Sequence, residues 1–138
     1  MTRDEFVDAF AERLGVSPED AQKHLRAAFE VLSERISRGE LRHVASQLPR
    51  DIADLMAPDG EEAEAFEPDE FVTRVVERTG ADARFGYLVV RALFTTLRQA
   101  LTSGEYDDLM SQLPRVYRSL VPGTNWRGGP IPAWGVEQ

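Results

Sequence analysis

The chain says nearly the same thing twice. Asp4-Glu5-Phe6-Val7 returns as Asp69-Glu70-Phe71-Val72, Gly39-Glu40 as Gly104-Glu105, and Ser46-Gln47-Leu48-Pro49-Arg50 as Ser111-Gln112-Leu113-Pro114-Arg115, each 65 residues later. At that offset, with no gap, residues 4–58 match residues 69–123 at 19 of 55 positions. Unrelated segments of ordinary composition agree at roughly 6%. The chain therefore reads as an internal duplication. A half of this size buries too little surface to be robust alone, so the halves are expected to share one core.

Within each half the apolar residues recur at helical spacing, and no stretch alternates as a strand does. Phe6, Val7, Phe10 and Leu14 share one face of a first helix, and Phe71, Val72, Val75 and Val76 share one face of its copy. Gly15 and Gly80 follow as expected left-handed caps. A long second helix opens on Ser17-Pro18-Glu19-Asp20, a cap followed by a first-turn proline and two acids. Its copy opens on Asp82 and is apolar over most of its girth, which predicts a central position. Gly39 and Gly104 are expected to end these helices. A short third helix follows each, interrupted by Pro49 or Pro114, and a short fourth begins there. The expected fold is all-α, with two quasi-equivalent units of three to four helices sharing a core. The expected boundaries are repeats at 1–58 and 69–123, an acidic linker at 59–68, and an irregular Trp/Pro/Gly-rich tail at 124–138.

The net charge of −8 is concentrated rather than spread. Residues 58–68 hold five acids and no base, whereas residues 69–123 balance at seven of each. This reads as a solvated connector, not an acidic binding face. No basic stripe suits a phosphate backbone, so nucleic acid is not an expected partner. The chain has no cysteine, which excludes disulfides and thiolate chemistry and fits a reducing cytoplasm. Its charged start predicts no signal peptide, and its most apolar run, Tyr87 to Val90, is far too short to span a bilayer.

A Gly-Glu pair separated by six residues from Gln-Leu-Pro, after an amphipathic helix pair and twice in one chain, resembles the bacterial family catalogued as domain of unknown function 2267. The resemblance covers about residues 4–122 and implies a small, duplicated, all-helical cytoplasmic protein. It implies no reaction and carries no catalytic residue across.

Several constellations bear on function. Gln47, Arg50, Gln112 and Arg115 form a quasi-symmetric polar set, and two arginines facing one groove suit a small anionic ligand. The same residues also make a helix corner, in which leucine fills the core, proline sets the turn, and Gln and Arg satisfy carbonyls. Glu40 and His43 have the E-x-x-H spacing of di-iron bundles. The copy reads Glu105-Tyr106-Asp107-Asp108, with no histidine, so no metal or cofactor is assigned. Helix-dipole stabilisation accounts for both glutamates. Arg26 and Arg91, which match across the repeats, are expected to pair with acids such as Glu12 or Glu77. No nucleophile–base pair stands out. In the tail, Trp126 and Trp134 lie among prolines and glycines and are costly to leave in water. They pack either on a groove between the repeats or on a partner. The expected function is a non-catalytic interaction module with a protein partner or a second copy; the alternative is an anion sensor at Arg50 and Arg115.

Overall fold

The computed structural model describes residues 1–56 and 62–121. Trp126 and Trp134, with the rest of the tail, lie outside the described residues. Seven α-helices and a 3-10 helix make up the described chain: α1 (Arg3–Leu14), α2 (Pro18–Arg35), α3 (Arg38–Ser46), α4 (Arg50–Ala53), α5 (Pro68–Thr79), α6 (Ala83–Ala100), α7 (Ser103–Ser111) and the 3-10 helix Arg115–Leu120. Among the described residues there is no strand, and the protein is all-α. The bounds of α1, α2 and α3 return in α5, α6 and α7 at an offset of 65.

Local chemistry sets these helix ends. Thr2 caps α1 in a complete capping box, its hydroxyl accepting from Glu5 N–H while Glu5 Oε1 accepts from Thr2 N–H at 2.8 Å. Ser17 and Asp82 cap α2 and α6. Gly15 and Gly80 close α1 and α5 at φ 71° and 77°, the left-handed region where a Cβ is strained. Gly39 and Gly104 do not end the long helices. Those end at Arg35 and Ala100, because Ile36 and Leu101 turn extended and bury their side chains in the core. Ser37 and Thr102, also extended, then cap α3 and α7, which places each glycine in a first turn.

The halves interlock. α1 packs against both α2 and α6, and α5 against both α6 and α2. One cluster of buried side chains runs through both halves, from Phe6, Phe10 and Phe29 to Phe71, Phe94 and Tyr117. α6 touches α1, α2, α5, α7 and the 3-10 helix, the central role its apolar girth predicts. The more polar α2 is nevertheless as deeply set, with Ala21, Ala27 and Ala28 among its buried residues.

The end of the acidic connector is not simply solvated. Phe66 is buried, and its carbonyl accepts from Arg35 Nε at 2.8 Å and from the Tyr117 hydroxyl at 2.7 Å. The Arg74 guanidinium lies over the Phe66 ring at 4.1 Å and pairs with Glu34, Glu64 and Glu70. An aromatic residue that can be buried, followed by Pro68 at the start of α5, ties this segment across α2 and α5.

Gly86 is a glycine inside a helix, a choice that costs about 1 kcal/mol relative to alanine. A Cβ there would meet Val76 Cγ2 at 2.6 Å and Val72 Cγ1 at 3.2 Å, so the glycine permits the α5–α6 approach. Overpacking of this kind costs about 1–3 kcal/mol and outweighs the propensity gain. Gly86→Ala is expected to lower the melting temperature by a few degrees in a circular-dichroism melt, with the helical signal of the folded state unchanged.

Candidate functional site

α3 and α7 start beside each other where the two repeats meet. A helix start leaves backbone N–H donors to be satisfied. Within α3, the Ser37 hydroxyl accepts from Glu40 N–H at 3.1 Å; within α7, the Thr102 hydroxyl accepts from Glu105 N–H at 3.2 Å. The reciprocal half of a capping box would have each glutamate accept from the cap's own N–H, as Glu5 does in α1. Here glutamines from the opposite repeat do so instead. Thr102 N–H donates to Gln47 Oε1 at 2.9 Å, and Ser37 N–H donates to Gln112 Oε1 at 3.0 Å. Gln112 Nε2 also donates to Ser37 Oγ at 3.0 Å.

The Gln-Leu-Pro-Arg block is thus a corner, as one of its two sequence readings holds, but its glutamines work differently from that reading. They receive hydrogen bonds from N–H groups of the other repeat rather than satisfying carbonyls. Leu48 and Leu113 are buried, and Pro49 and Pro114 stand just before α4 and the 3-10 helix. Arg50 and Arg115 are exposed at the first positions of those short helices, and no ion pair joins either to a described residue.

Displaced from the capping role, Glu40 and Glu105 turn to each other. Glu40 is 7% exposed, and one oxygen of each carboxylate, Oε2, is buried with no hydrogen-bond partner among the described residues. Their position at two helix starts favours the ionised form. Burial and the second carboxylate outweigh it. Desolvation first, then the close approach and charge of the Glu105 carboxylate, push the Glu40 carboxyl up to about 8. Asp108, the counterpart of His43 at the offset of 65, adds to the same repulsion. The exposed imidazole of His43 stands at this pair, Nδ1 3.9 Å from Glu40 Oε1. Donor atoms of Glu40, His43 and Glu105 all lie within 4.8 Å of one another. Dipole stabilisation alone therefore does not account for the two glutamates. The sequence carried a signal, since Gly-Glu is one of the blocks that repeats, but helical spacing does not reveal which glutamates meet.

Arg26 and Arg91 form no ion pair with Glu12 or Glu77, and each instead lines a groove. Arg26 borders one of about 450 Å³ among α1, α2 and α4, which Arg3, Lys23, Glu19 and Asp51 also line. Arg91 borders one of about 300 Å³ between α1 and α6, together with Arg13, Leu88, Ala92 and Thr95. His24 is buried beside Phe85, 4.9 Å between ring centres, and desolvation lowers its pKa.

Over residues 3–120 the chain matches the family described as uncharacterized conserved protein, DUF2267. It belongs to that family. A comparison with curated proteins gives no match. Among the described residues, no helix is long and apolar enough to cross a membrane.

Two expectations follow for the seam. Gln47→Ala and Gln112→Ala each remove a cap acceptor and should each cost about 1 kcal/mol in chemical denaturation. The second concerns pH, in metal-free protein. A carboxyl held above its unfolded value of 4.5 binds a proton on folding, so its contribution to stability falls as pH rises from about 4.5 to about 8. In Glu40→Gln, the slope of stability against pH across that window should differ from wild type by about one proton. Equal slopes would show that Glu40 ionises normally.

Proposed function

We propose that this member of the family is a non-catalytic interaction module of the cytoplasm that acts on a protein partner or a second copy of itself. The observation carrying this reading is how completely the bundle uses its own apolar side chains. Among the described large hydrophobic residues, only Met1 is exposed, at 44%. The described residues therefore offer no large apolar anchor for a partner beyond Met1, and the chain's two tryptophans, Trp126 and Trp134, fall in the remaining sequence. Aromatic anchors of this kind dominate the energetics of protein interfaces.

A second copy is the partner tested most directly. The full chain is expected to self-associate on the order of 100 µM by size exclusion with light scattering, because dimers depend on concentration. The W126A/W134A double variant should shift toward monomer while melting within about two degrees of wild type. A monomeric wild type rejects self-association. A double variant that melts much lower but associates as before assigns the tryptophans to the chain's own surface, and overturns the anchor.

A small-anion reading is supported at another position than Arg50 and Arg115. Where α5 packs on α2, Arg78 meets Glu30 and Glu34. At the matching place on α6 stand Thr95 and Gln99, so among the described residues Arg13 has neutral acceptors alone: Thr96 and Gln99, each at 3.1 Å, and the Ala9 carbonyl at 3.4 Å. Arg13 and Arg91 therefore share a groove that no carboxylate lines among the described residues. A thermal-shift screen of phosphate and dicarboxylates should give stabilisation that Arg91→Glu abolishes. A shift retained in that variant rejects the groove.

A further inference from the structure

We propose that Glu40, His43 and Glu105 form a binding site for one divalent transition-metal ion of the zinc class, placed where the two repeats meet. The inference stands apart from the interaction reading and does not need it.

The donor set comes first. Two carboxylates and one imidazole suit zinc, cobalt, manganese or ferrous iron, whereas magnesium and calcium take oxygen donors. The chain has no cysteine and only two histidines, and the other, His24, is buried beside Phe85. Nitrogen donors for such an ion are therefore scarce elsewhere.

The geometry comes second. Donor atoms of the three residues lie within 4.8 Å of one another. Around a zinc ion with bonds of about 2.1 Å, tetrahedral donors stand roughly 3.4 Å apart. The cluster must contract, and its parts are suited to that. Glu40 is fixed by burial, whereas the side chain of His43 is 70% exposed and has room to swing inward. Glu40 and His43 are one turn apart on α3, so both reach the same point beside the helix. Glu105 approaches it from α7. Three protein ligands leave a fourth position open on the solvent side, where the exposed imidazole marks the way in.

The third observation points to an occupant. Oε2 of Glu40 and Oε2 of Glu105 are both buried without a hydrogen-bond partner among the described residues, and Glu40 is more than nine-tenths buried. Buried polar atoms are nearly always satisfied, so a pair of orphaned carboxylate oxygens calls for a cause. A cation between them satisfies both and reverses their repulsion. A shared proton is the competing occupant, but it gives His43 no part. At 3.9 Å the imidazole is too far from Glu40 Oε1 for a hydrogen bond.

The ligands come from both repeats, two from α3 and one from α7. The ion would cross-link the halves at the place where they already exchange helix caps. Metal binding is then also a constraint on the bundle, and stability should report it.

The test uses the full chain with Zn²⁺ alone, titrated against a chromophoric chelator, and with Co²⁺ as a spectroscopic probe. One equivalent of Zn²⁺ should bind and raise the melting temperature, and Co²⁺ should give visible absorption of a four- or five-coordinate site. His43→Ala and Glu105→Gln should each weaken binding about tenfold or more. The exposed His43 can be removed without loss of packing, so H43A should melt like metal-free wild type, which keeps the test open if a glutamate variant unfolds. Absence of stoichiometric Zn²⁺ and Co²⁺ uptake overturns the site and leaves the pair to a shared proton. Uptake unchanged in both variants also overturns it, because the ion then binds elsewhere on the chain.

Discussion

The two repeats complete each other's helices. Ser37 and Thr102 each begin a short helix whose cap N–H is taken by a glutamine of the opposite half. Hydrogen bonds are directional and short-ranged, so this exchange fixes the ends of α3 and α7 relative to each other more tightly than apolar packing alone. The rest of the seam follows from it. Because Gln47 and Gln112 accept from the cap N–H groups, Glu40 and Glu105 are released from a capping box and meet as a carboxylate pair, Glu40 buried and Glu105 half-buried. Neither half could form this arrangement alone, which adds a polar reason for a shared core to the apolar one.

The two cross-packings are alike in position and unlike in chemistry. On one side α5 meets α2 through Arg74 and Arg78 with Glu30 and Glu34, and the connector joins through Glu64 and the buried Phe66. On the other, α1 meets α6 through Arg13 and neutral acceptors only. Exposed ion pairs contribute little by themselves. Around Phe66 they are combined with an aromatic stack and two hydrogen bonds to a single carbonyl, and that combination holds the connector against the bundle. It has no counterpart on the α1–α6 side, because Arg35 aligns with Ala100 and Tyr117 with Ile52.

How much of this was legible in the sequence depends on the kind of interaction. Apolar period and capping residues identified the helices and their buried faces, since Phe6, Phe10, Phe71 and Leu93 sit in the core as their spacing predicts. The duplication made a shared core a sound expectation. Pairing across the seam was not legible. A polar residue at a helix end reads as solvated or as a local cap, and nothing in its spacing tells that its acceptor serves the other repeat. Gln47 was singled out for the right position and the wrong bond. Gly39 and Gly104 looked like stops because glycine ends many helices. The decisive residues were instead Ile36 and Leu101, whose burial forces the chain to turn earlier. Arg35 gave no signal at all, since a buried arginine is defined by the carbonyl and rings around it.

Divergence between copies is most informative where the environment is shared. Glu40 and Glu105 occupy matching positions and face each other, so a single local field acts on both. Their neighbours differ: His43 in one half corresponds to Asp108 in the other. With an aspartate at both places the pair would face only further negative charge, and a cation there would lack any nitrogen donor. One of each gives the site a direction, with an imidazole nitrogen on the α3 side and a carboxylate on the α7 side. A symmetric scaffold builds the pair, and the departure from symmetry at His43 and Asp108 makes the pair chemically distinct from a packing contact.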